Sequence, residues 1–160
     1  MLFRNEIFKR DVETIRDILS STGFFEAAPD EIDVAAELAE QALKEGNSPE
    51  NYDFVFLEDE GKTVGYACFA RVPCTLSSFE IYWIAIHNDC RGKGLGKRLI
   101  NEVIRMVKNL GATKLVLQMA GRAQYLPTQK FYQACGFKEE ARLKNYYAVG
   151  DDCLIYTIDF

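Results

Sequence analysis

An apolar strand that runs into a glycine-rich basic loop and then into an amphipathic helix constrains this chain more than any other feature. The segment begins at Trp83, passes Gly92, Gly94 and Gly96, and continues in a helix-forming run that starts at Leu95. Glycine has no Cβ, so the backbone there can adopt positive φ angles and come close to a ligand. The first amides of a helix lack partners within it and carry the positive end of its dipole. The segment therefore predicts a cradle for linked phosphates.

The charges of this segment indicate the same kind of ligand. Of the 19 lysine and arginine residues, four lie within residues 91–98 with no acidic residue among them: Arg91, Lys93, Lys97 and Arg98. That leaves 15 basic against 24 acidic residues in the rest of the chain. A local basic site in an acidic protein indicates a bound anion.

Two common phosphate-binding patterns do not fit the loop. A Walker loop needs a glycine where Arg91 stands and a serine or threonine where Arg98 follows Lys97. The dinucleotide fingerprint fails because the glycines are spaced G-x-G-x-G. The pattern Arg-x-x-Gly-x-Gly does fit, and it resembles the pyrophosphate-binding signature of the GNAT superfamily, the acetyl-CoA-dependent N-acyltransferases. The alternative is a glycine-rich turn before a helix with a solvated basic face.

Length and composition indicate one domain, spanning residues 1–160, with a core of its own. The chain is 48% hydrophobic and 27% charged, as soluble globular proteins are. Early charges at the N-terminus and the lack of a long apolar run predict no secretory signal and no membrane association. Five dispersed cysteines without a C-x-x-C pair predict free thiols in the cytoplasm. The net charge of −5 argues against nucleic-acid binding.

Hydrophobic periodicity predicts strands and helices mixed along the chain. After a short strand in the first few residues, we expect helices from about 11 to 23, from 30 or 33 to 46, and over 95–110 and 128–135. Strands are expected over residues 52–57, 62–71, 78–86, 114–119, 137–147 and 152–160. The second helix is expected to bury Val34, Leu38, Ala42 and Leu43, and the third Leu95, Leu99, Val103, Val107 and Leu110. This order predicts an α/β arrangement of three layers.

The resemblance to the GNAT superfamily extends beyond the phosphate loop. Residues 131–137 read Phe-Tyr-x-x-Cys-Gly-Phe and look like the second GNAT signature, which lies beside the thioester end of coenzyme A. Residues 145–156 resemble the usual close of small members, so the similarity covers the chain from roughly residue 52 to its end. Residues 64–68 and 82–86 look like a subgroup associated with D-alanine–D-alanine ligases. The resemblance implies the GNAT fold, with a mixed, mostly antiparallel central sheet flanked by helices.

The resemblance also implies how acetyl-CoA is held. Its binding residues are expected in the strand end, the glycine loop and the short helix: Ile84, Ala85, Ile86, Arg91, Gly92, Lys93, Gly94, Leu95, Gly96, Lys97, Thr128, Phe131 and Tyr132. Similar enzymes pair the strand edge with the pantetheine arm. The strand at 78–86 and the strand at 114–119 are expected to separate at their C-terminal ends and admit this arm. Backbone amides of residues 84–86 are expected to polarise the thioester carbonyl.

Glu80 is the first candidate for a general base, because an amine that is mostly protonated at neutral pH must lose a proton before it attacks a thioester. Strand alternation places Glu80 on one face with Tyr82, Ile84 and Ile86, and these apolar surroundings predict a raised pKa. Similar enzymes often use an acid on this strand, directly or through water. The alternative is a structural Glu80 paired with a lysine or arginine across the sheet.

Tyr132 is the candidate for the general acid. By resemblance, the tyrosine of the Phe131-Tyr132 pair lies beside the coenzyme sulfur and donates a proton to the departing thiolate. A phenol with a pKa near 10 is a reasonable donor to a thiolate whose conjugate acid has a pKa of about 8.5. The alternative is that both residues are core aromatics of a short helix, which is our interpretation of Phe131.

Other kinds of site fit poorly. His87 is the single histidine, so the sequence predicts no multi-histidine metal site, and His87 is expected to line or cap the phosphate turn. Cys135 lies in a short apolar helix and is expected to be a packed, inert thiol. Phe24, Phe25 and Glu26 are expected either to contact the acceptor or to pack as an ordinary loop.

The sequence thus predicts direct acetyl transfer from acetyl-CoA to a primary amine of a small molecule or peptide, without a covalent enzyme intermediate. The alternative is a non-catalytic acyl-CoA-binding sensor or interaction module of the same fold. Similar enzymes are frequently dimers, which leaves both a monomer and a homodimer open. The acceptor amine and the acyl-chain preference are not defined by these motifs.

Overall fold

A computed structural model describes residues 1–26, 28–46 and 51–160 of the chain. The strands in these residues are β1 Leu2–Arg4, β2 Asp53–Asp59, β3 Lys62–Arg71, β4 Ser78–Ile86, β5 Lys114–Ala120, β6 Lys138–Ala148 and β7 Asp151–Asp159. The helices are α1 Asp11–Ser21, α2 Asp30–Glu45, α3 Leu95–Asn109 and α4 Leu126–Ala134. Two single 3-10 turns, Asn88–Cys90 and Ala123–Tyr125, precede α3 and α4. Each element agrees with the predicted series, with boundaries that differ by one or two residues.

The described strands form one sheet in the order β1-β2-β3-β4-β5-β7-β6. Neighbouring strands are antiparallel except β4 and β5, which run parallel in the middle of the sheet. Parallel neighbours need a crossover connection, and α3 supplies it. The sheet is therefore mixed and mostly antiparallel, as expected.

Helices cover both faces of the sheet, which confirms the three predicted layers. One buried cluster lies under α3 and α4 and includes Phe79, Leu99, Leu117 and Tyr156. A second lies between the other face and α1 and α2. Of the predicted α3 stripe, residues 95, 99, 103 and 107 are buried, whereas Leu110 is 39% exposed because it follows the last helical turn. Within the described residues, no helix combines the length and apolarity needed to cross a bilayer.

The prediction for the buried face of α2 is confirmed at Ala42 and was wrong at Val34 and Leu43. Alanines form that face (Ala35, Ala36, Ala39 and Ala42), whereas Val34 and Leu43 are exposed. Of the larger apolar residues predicted there, Leu38 is partly buried against the core. Small side chains let α2 approach the rest of the α1–α2 layer closely, so packing distance rather than apolar size selected the buried face.

A β-bulge in β4 reverses the alternation of its side chains. Cys68 of β3 pairs with Trp83 but the next residue, Phe69, pairs with Ile81, so Tyr82 is one extra residue in β4. Ile81 and Ile84 therefore both belong to the α3 side, and Trp83 packs with the α1–α2 core. The expectation that Glu80 shares a face with Ile84 and Ile86 was wrong. Glu80 faces the α1–α2 side.

The parallel strands β4 and β5 separate towards their C-terminal ends, as predicted. Their register runs from Ser78 opposite Lys114 to Ile81 opposite Leu117. Beyond that point β4 stays paired with β3 up to residue 86, and β5 stays paired with β7 up to residue 120. A V-shaped gap therefore opens in the sheet, and the β4 residues after the bulge have backbone groups that face it.

Gly65 of β3 sets the position of the end of β4. A Cβ at Gly65 would clash with Cδ1 of Ile86 and come within 2.9 Å of the carbonyl oxygen of Ala85. We expect Gly65→Ala to lower the free energy of unfolding by about 1–3 kcal/mol, because overpacking forces the two strands apart. Urea denaturation measures this loss.

Ile86→Val provides the matched test, since it removes the methyl group that the new Cβ would meet. Part of the clash is then relieved, so the double variant Gly65→Ala/Ile86→Val should lose less stability than the sum of the two single losses. Strictly additive losses would show that Gly65 does not pack against Ile86.

Candidate active site

The loop between β4 and α3 has the backbone of an anion-binding cradle. Gly92 and Gly94 have φ angles of +75° and +73°, a conformation that strains residues with a Cβ. Gly94 is the N-cap of α3 and adopts the left-handed conformation. A Cβ at either glycine would meet no atom within 4 Å, so both border open space. The backbone has the conformation and the space that the predicted cradle needs, and phosphate binding there stays a prediction.

Backbone amides of this loop remain available to a ligand. In the described residues, the amide of Arg98 donates to the carbonyl oxygen of Gly94 at 3.2 Å as the first turn of α3 closes. The amides that precede it lie at the helix start, where no intrahelical acceptor exists. They lie at the positive end of the dipole of a 15-residue helix, which favours an anion.

The four cations of the loop surround this cradle without being neutralised. Arg91, Lys93, Lys97 and Arg98 are all exposed. Among the described residues, no acidic side chain lies within 4.0 Å of any of them. Unpaired cations beside helix-terminal amides give the site a positive potential suited to a phosphate-bearing ligand.

His87 caps the turn that leads into the loop, as predicted. Its Nδ1 accepts a hydrogen bond from the amide of Asp89 at 3.3 Å, and its Nε2 lies 3.6 Å from the carboxylate of Asp17 in α1. The amide of Asn88 donates to Ser21 Oγ at the end of α1 at 3.0 Å. The C-terminal end of α1 therefore supports the phosphate loop.

Aromatic contacts attach the segment after α1 to the site. The Arg91 guanidinium lies 5.7 Å from the ring centroid of Phe24, and the Phe24 ring packs at a tilt against Tyr125 with centroids 5.1 Å apart. Phe25 packs against Trp83 of β4 with ring centroids 5.7 Å apart. Phe24 and Phe25 therefore pack between the glycine loop, the 3-10 turn before α4 and the sheet. Whether they also contact an acceptor stays a prediction.

The start of α3 packs closely on α4. A Cβ at Gly96 would lie 3.3 Å from Cζ of Phe131 and 4.0 Å from Cγ1 of Ile86. This approach brings together a residue of each predicted cofactor-binding segment: the β4 end, the glycine loop and the short helix. Thr128 lies half-buried in the first turns of α4. Phe131 packs against the core, as interpreted from the sequence.

Tyr132 is buried in the cluster on the α3 and α4 side. Its ring makes edge-on contacts with Phe131 and Phe137, with centroids 5.2 and 5.7 Å apart. Burial raises the pKa of the phenol well above its ordinary value, and the neighbouring Cys135 adds to the shift. Burial also raises the pKa of the Cys135 thiol, although Lys97 opposes the effect. This fits the predicted inert thiol at Cys135.

Glu80 lies on the opposite face, where β4 and β5 begin to separate. Gln118 Nε2 donates a hydrogen bond to Glu80 Oε1 at 2.9 Å, and Tyr82 forms a second hydrogen bond with this carboxylate. Burial raises the pKa of Glu80, in the predicted direction, whereas the two hydrogen bonds lower it. These described partners are neutral, unlike the lysine or arginine of the structural alternative.

The predicted base and acid therefore lie on opposite faces of the sheet. Glu80 lies on the α1–α2 side at the point of separation, and Tyr132 lies on the α3–α4 side. The end of β4 runs between them.

Sequence reasoning missed the polar residues that surround Glu80. Gln118, Cys153 and Tyr147 continue from it across β5, β7 and β6, and Tyr52 packs edge-on against Tyr82 with centroids 5.3 Å apart. The sequence feature that could have revealed these residues is Gln118, a polar residue within the apolar strand β5. Cys153 gave no signal, because only strand pairing brings it beside Gln118. Tyr147 belongs to a group, with Tyr146, Asp151 and Asp152, that the sequence offers either as a wall of the acceptor pocket or as a hairpin with an acidic tip.

Comparison with known proteins agrees with this geometry. The profile of the family described as acetyltransferase (GNAT) family matches residues 12–137. The chain belongs to the GNAT family. The ribosomal protein bS18-alanine N-acetyltransferase of Escherichia coli is 30% identical over 105 residues, which cover 66% of this chain and 68% of that enzyme. Within the described part of this GNAT protein, no group of three histidine, cysteine or acidic residues could hold a metal.

Solved structures give the same fold over the full length. A GNAT-family crystal structure from Desulfovibrio desulfuricans is 37% identical and superposes with a TM-score of 0.94, covering 99% of this chain and 98% of that one. An aminoglycoside 6'-N-acetyltransferase in complex with coenzyme A is 18% identical, with a TM-score of 0.77 and coverage of 99% and 97%. The latter likeness concerns the fold alone.

Proposed function

We propose that this GNAT protein transfers the acetyl group of acetyl-CoA directly to a primary amine of a small molecule or peptide. The observation that carries the proposal is the glycine cradle at the start of α3, which opens beside the gap between β4 and β5. The related alanine N-acetyltransferase of Escherichia coli and the coenzyme A complex of the aminoglycoside enzyme support it.

In this proposal the coenzyme spans the cradle and the gap. The amides of residues 92–97 and the side chains of Arg91, Lys93 and Lys97 bind the pyrophosphate, since open space and unpaired cations meet there. The free edge of β4 at residues 84–86 pairs with the pantetheine arm as an added strand would. Thr128 and Phe131 line the thioester end. An amide of the β4 edge donates to the thioester oxygen, where negative charge develops during attack.

The remaining steps move three protons. Acetyl-CoA supplies an activated carbonyl whose leaving group is a thiolate. Glu80 accepts a proton from the acceptor ammonium, directly or through water, and the freed amine attacks the carbonyl carbon. As the C–N bond forms and the C–S bond breaks, Tyr132 donates its phenolic proton to the departing sulfur. The second amine proton passes through solvent to the Tyr132 phenolate, which leaves a neutral amide and restores the acid, and Glu80 returns its proton to solvent.

Binding and turnover are tested separately. Calorimetry is expected to show heat of binding with acetyl-CoA but not with ATP or NAD. Thiol release across a panel of amines (free amino acids, polyamines, aminoglycosides and peptide N-termini) is expected to show turnover with at least one class. Binding without turnover on any amine would favour an acyl-CoA sensor, and absence of binding would reject the proposal.

Glu80→Gln tests the base through the pH profile. Burial raises the pKa of Glu80, so the acidic limb of kcat/KM should have its midpoint above the ordinary value of about 4.3. Below that midpoint the carboxyl is protonated and cannot accept a proton, so activity falls as pH decreases. Near neutral pH, Glu80→Gln should lower kcat/KM about 100-fold.

The decrease of kcat/KM in Glu80→Gln should be smaller at alkaline pH, because the acceptor amine then loses its proton to solvent without help from a base. Circular dichroism of the variant controls for folding. A loss that is the same at every pH would contradict the base role and favour a structural Glu80.

A further inference from the structure

A continuous row of polar contacts crosses the α1–α2 face of the sheet at the point where β4 and β5 separate. Gln118 Nε2 donates to Glu80 Oε1 at 2.9 Å, and Cys153 Sγ donates to Gln118 Oε1 at 3.6 Å. The Tyr147 hydroxyl donates in turn to Cys153 Sγ at 3.7 Å. We call Glu80, Gln118, Cys153 and Tyr147 the polar row.

The direction of these hydrogen bonds determines how Gln118 is oriented. A glutamine amide has a donor end, Nε2, and an acceptor end, Oε1, and these atoms carry opposite partial charges. The thiol of Cys153 donates its hydrogen bond to Oε1 of Gln118, so Nε2 points towards Glu80. If the amide rotated by half a turn, Oε1 would face the carboxylate and repel it.

The hydrogen bond between Glu80 and Gln118 also connects strands β4 and β5. Glu80 lies one residue before the last paired position of β4, and Gln118 lies one residue after the last paired position of β5. The bond therefore joins the two strands at the apex of the gap. It holds the carboxylate beside the opening rather than along the surface of the sheet.

We propose that Gln118 is a positioning residue for Glu80, and that the Cys153 thiol fixes the amide orientation on which this depends. The inference rests on the proposed function only in treating Glu80 as the base for the acceptor amine. Neither Gln118 nor Cys153 exchanges a proton with substrate.

Among the described residues, the two groups that hydrogen-bond to Glu80 are both uncharged. Tyr82 comes from its own strand and Gln118 from β5. Beyond them lie Cys153 and Tyr147 of the polar row, Tyr52 and Cys68 beside Tyr82, and Glu31 of α2 beside Tyr147. Gln118 lowers the pKa of Glu80 by donating to its ionised form. Removing this donor should therefore raise the pKa of Glu80.

The test follows the side-chain carboxyl NMR signal of Glu80 as a function of pH, in the full-length protein without substrates. Glu80→Gln identifies the signal. In Gln118→Leu the titration midpoint should move up by about one pH unit, since a hydrogen bond to a charged group is lost. Gln118→Glu should move it further, because two carboxylates then compete for one proton. An unchanged midpoint in both variants would overturn the proposal.

Cys153 variants test the orientation. Cys153→Ala should raise the midpoint by a smaller amount, as the amide becomes free to rotate, and Cys153→Ser should restore it, because a hydroxyl still donates to Gln118. Cys74→Ala is the control, since it removes an exposed thiol outside the polar row. Equal midpoints in the alanine and serine variants would contradict the role of the thiol.

The acidic limb of kcat/KM separates this inference from the proposed function. If Glu80 is the base, the limb should move with the NMR midpoint in each Gln118 variant. An NMR midpoint that moves while the limb stays fixed would leave the positioning of Glu80 by Gln118 established and reject Glu80 as the base.

Discussion

Replacing Gly94 by valine is expected to raise the dissociation constant of acetyl-CoA at least about 100-fold, which corresponds to roughly 2.7 kcal/mol. Gly94 has a φ angle of +73° at the N-cap of α3 and borders open space. A β-branched side chain is strained in that conformation and would occupy the cradle itself. The expected loss equals one or two charge-assisted hydrogen bonds from backbone amides. Isothermal titration calorimetry measures it.

Gly111→Val is the matched control for this prediction. Gly111 lies just beyond the other end of α3, has a φ angle of +82° and likewise borders open space. The same substitution therefore introduces the same kind of backbone strain far from the cradle. It should lower the thermal stability to a similar extent and leave the affinity for acetyl-CoA unchanged. Equal losses of affinity in both variants would mean that strain, rather than the cradle, accounts for the effect.

Replacing Tyr132 by phenylalanine is expected to lower kcat about 100-fold, within the range that one general acid contributes. The KM for acetyl-CoA should change little, because the ring keeps its contacts with Phe131 and Phe137. Burial raises the pKa of Tyr132, so the phenol stays protonated at neutral and mildly alkaline pH and can donate throughout that range. Steady-state thiol release with a responsive amine provides kcat and KM.

Tyr156→Phe is the control, since it also removes a buried phenol beside α4. The Tyr156 hydroxyl accepts a hydrogen bond from Gln133 of α4 at 3.1 Å. Its loss should lower stability by about 1 kcal/mol and leave kcat unchanged. Undiminished turnover in Tyr132→Phe, with Tyr156→Phe also active, would remove Tyr132 from the role of acid.

Local sequence patterns predicted much of the phosphate cradle. Glycines at residues 92 and 94 have positive φ angles that side chains with a Cβ rarely adopt, and a helix start needs no distant partner to present its amides. The helix over residues 95–109 followed from its apolar periodicity in the same way. Features of this kind depend on neighbours within a few residues, so composition and spacing were sufficient to predict them.

Side-chain directions on the sheet and on α2 were predicted less well. The bulge at Tyr82 adds one residue to β4 relative to β3, which moved Glu80 to the face opposite Ile84. Strict alternation cannot anticipate this extra residue, because it arises from pairing with another strand. On α2, the alanine face was buried in place of Val34 and Leu43, since close packing of the helices favoured small side chains over large ones.

The sequence by itself determined the family of folds, the glycine cradle and the candidates Glu80 and Tyr132, because each is marked by residue type and short-range spacing. Only the tertiary structure decided that the two candidates lie on opposite faces of the sheet, and that Gln118, Cys153 and Tyr147 extend from Glu80 in one row. These residues are separated by 38, 35 and 6 positions along the chain. Strand register brings them together, and register is a property of the assembled sheet rather than of any one segment.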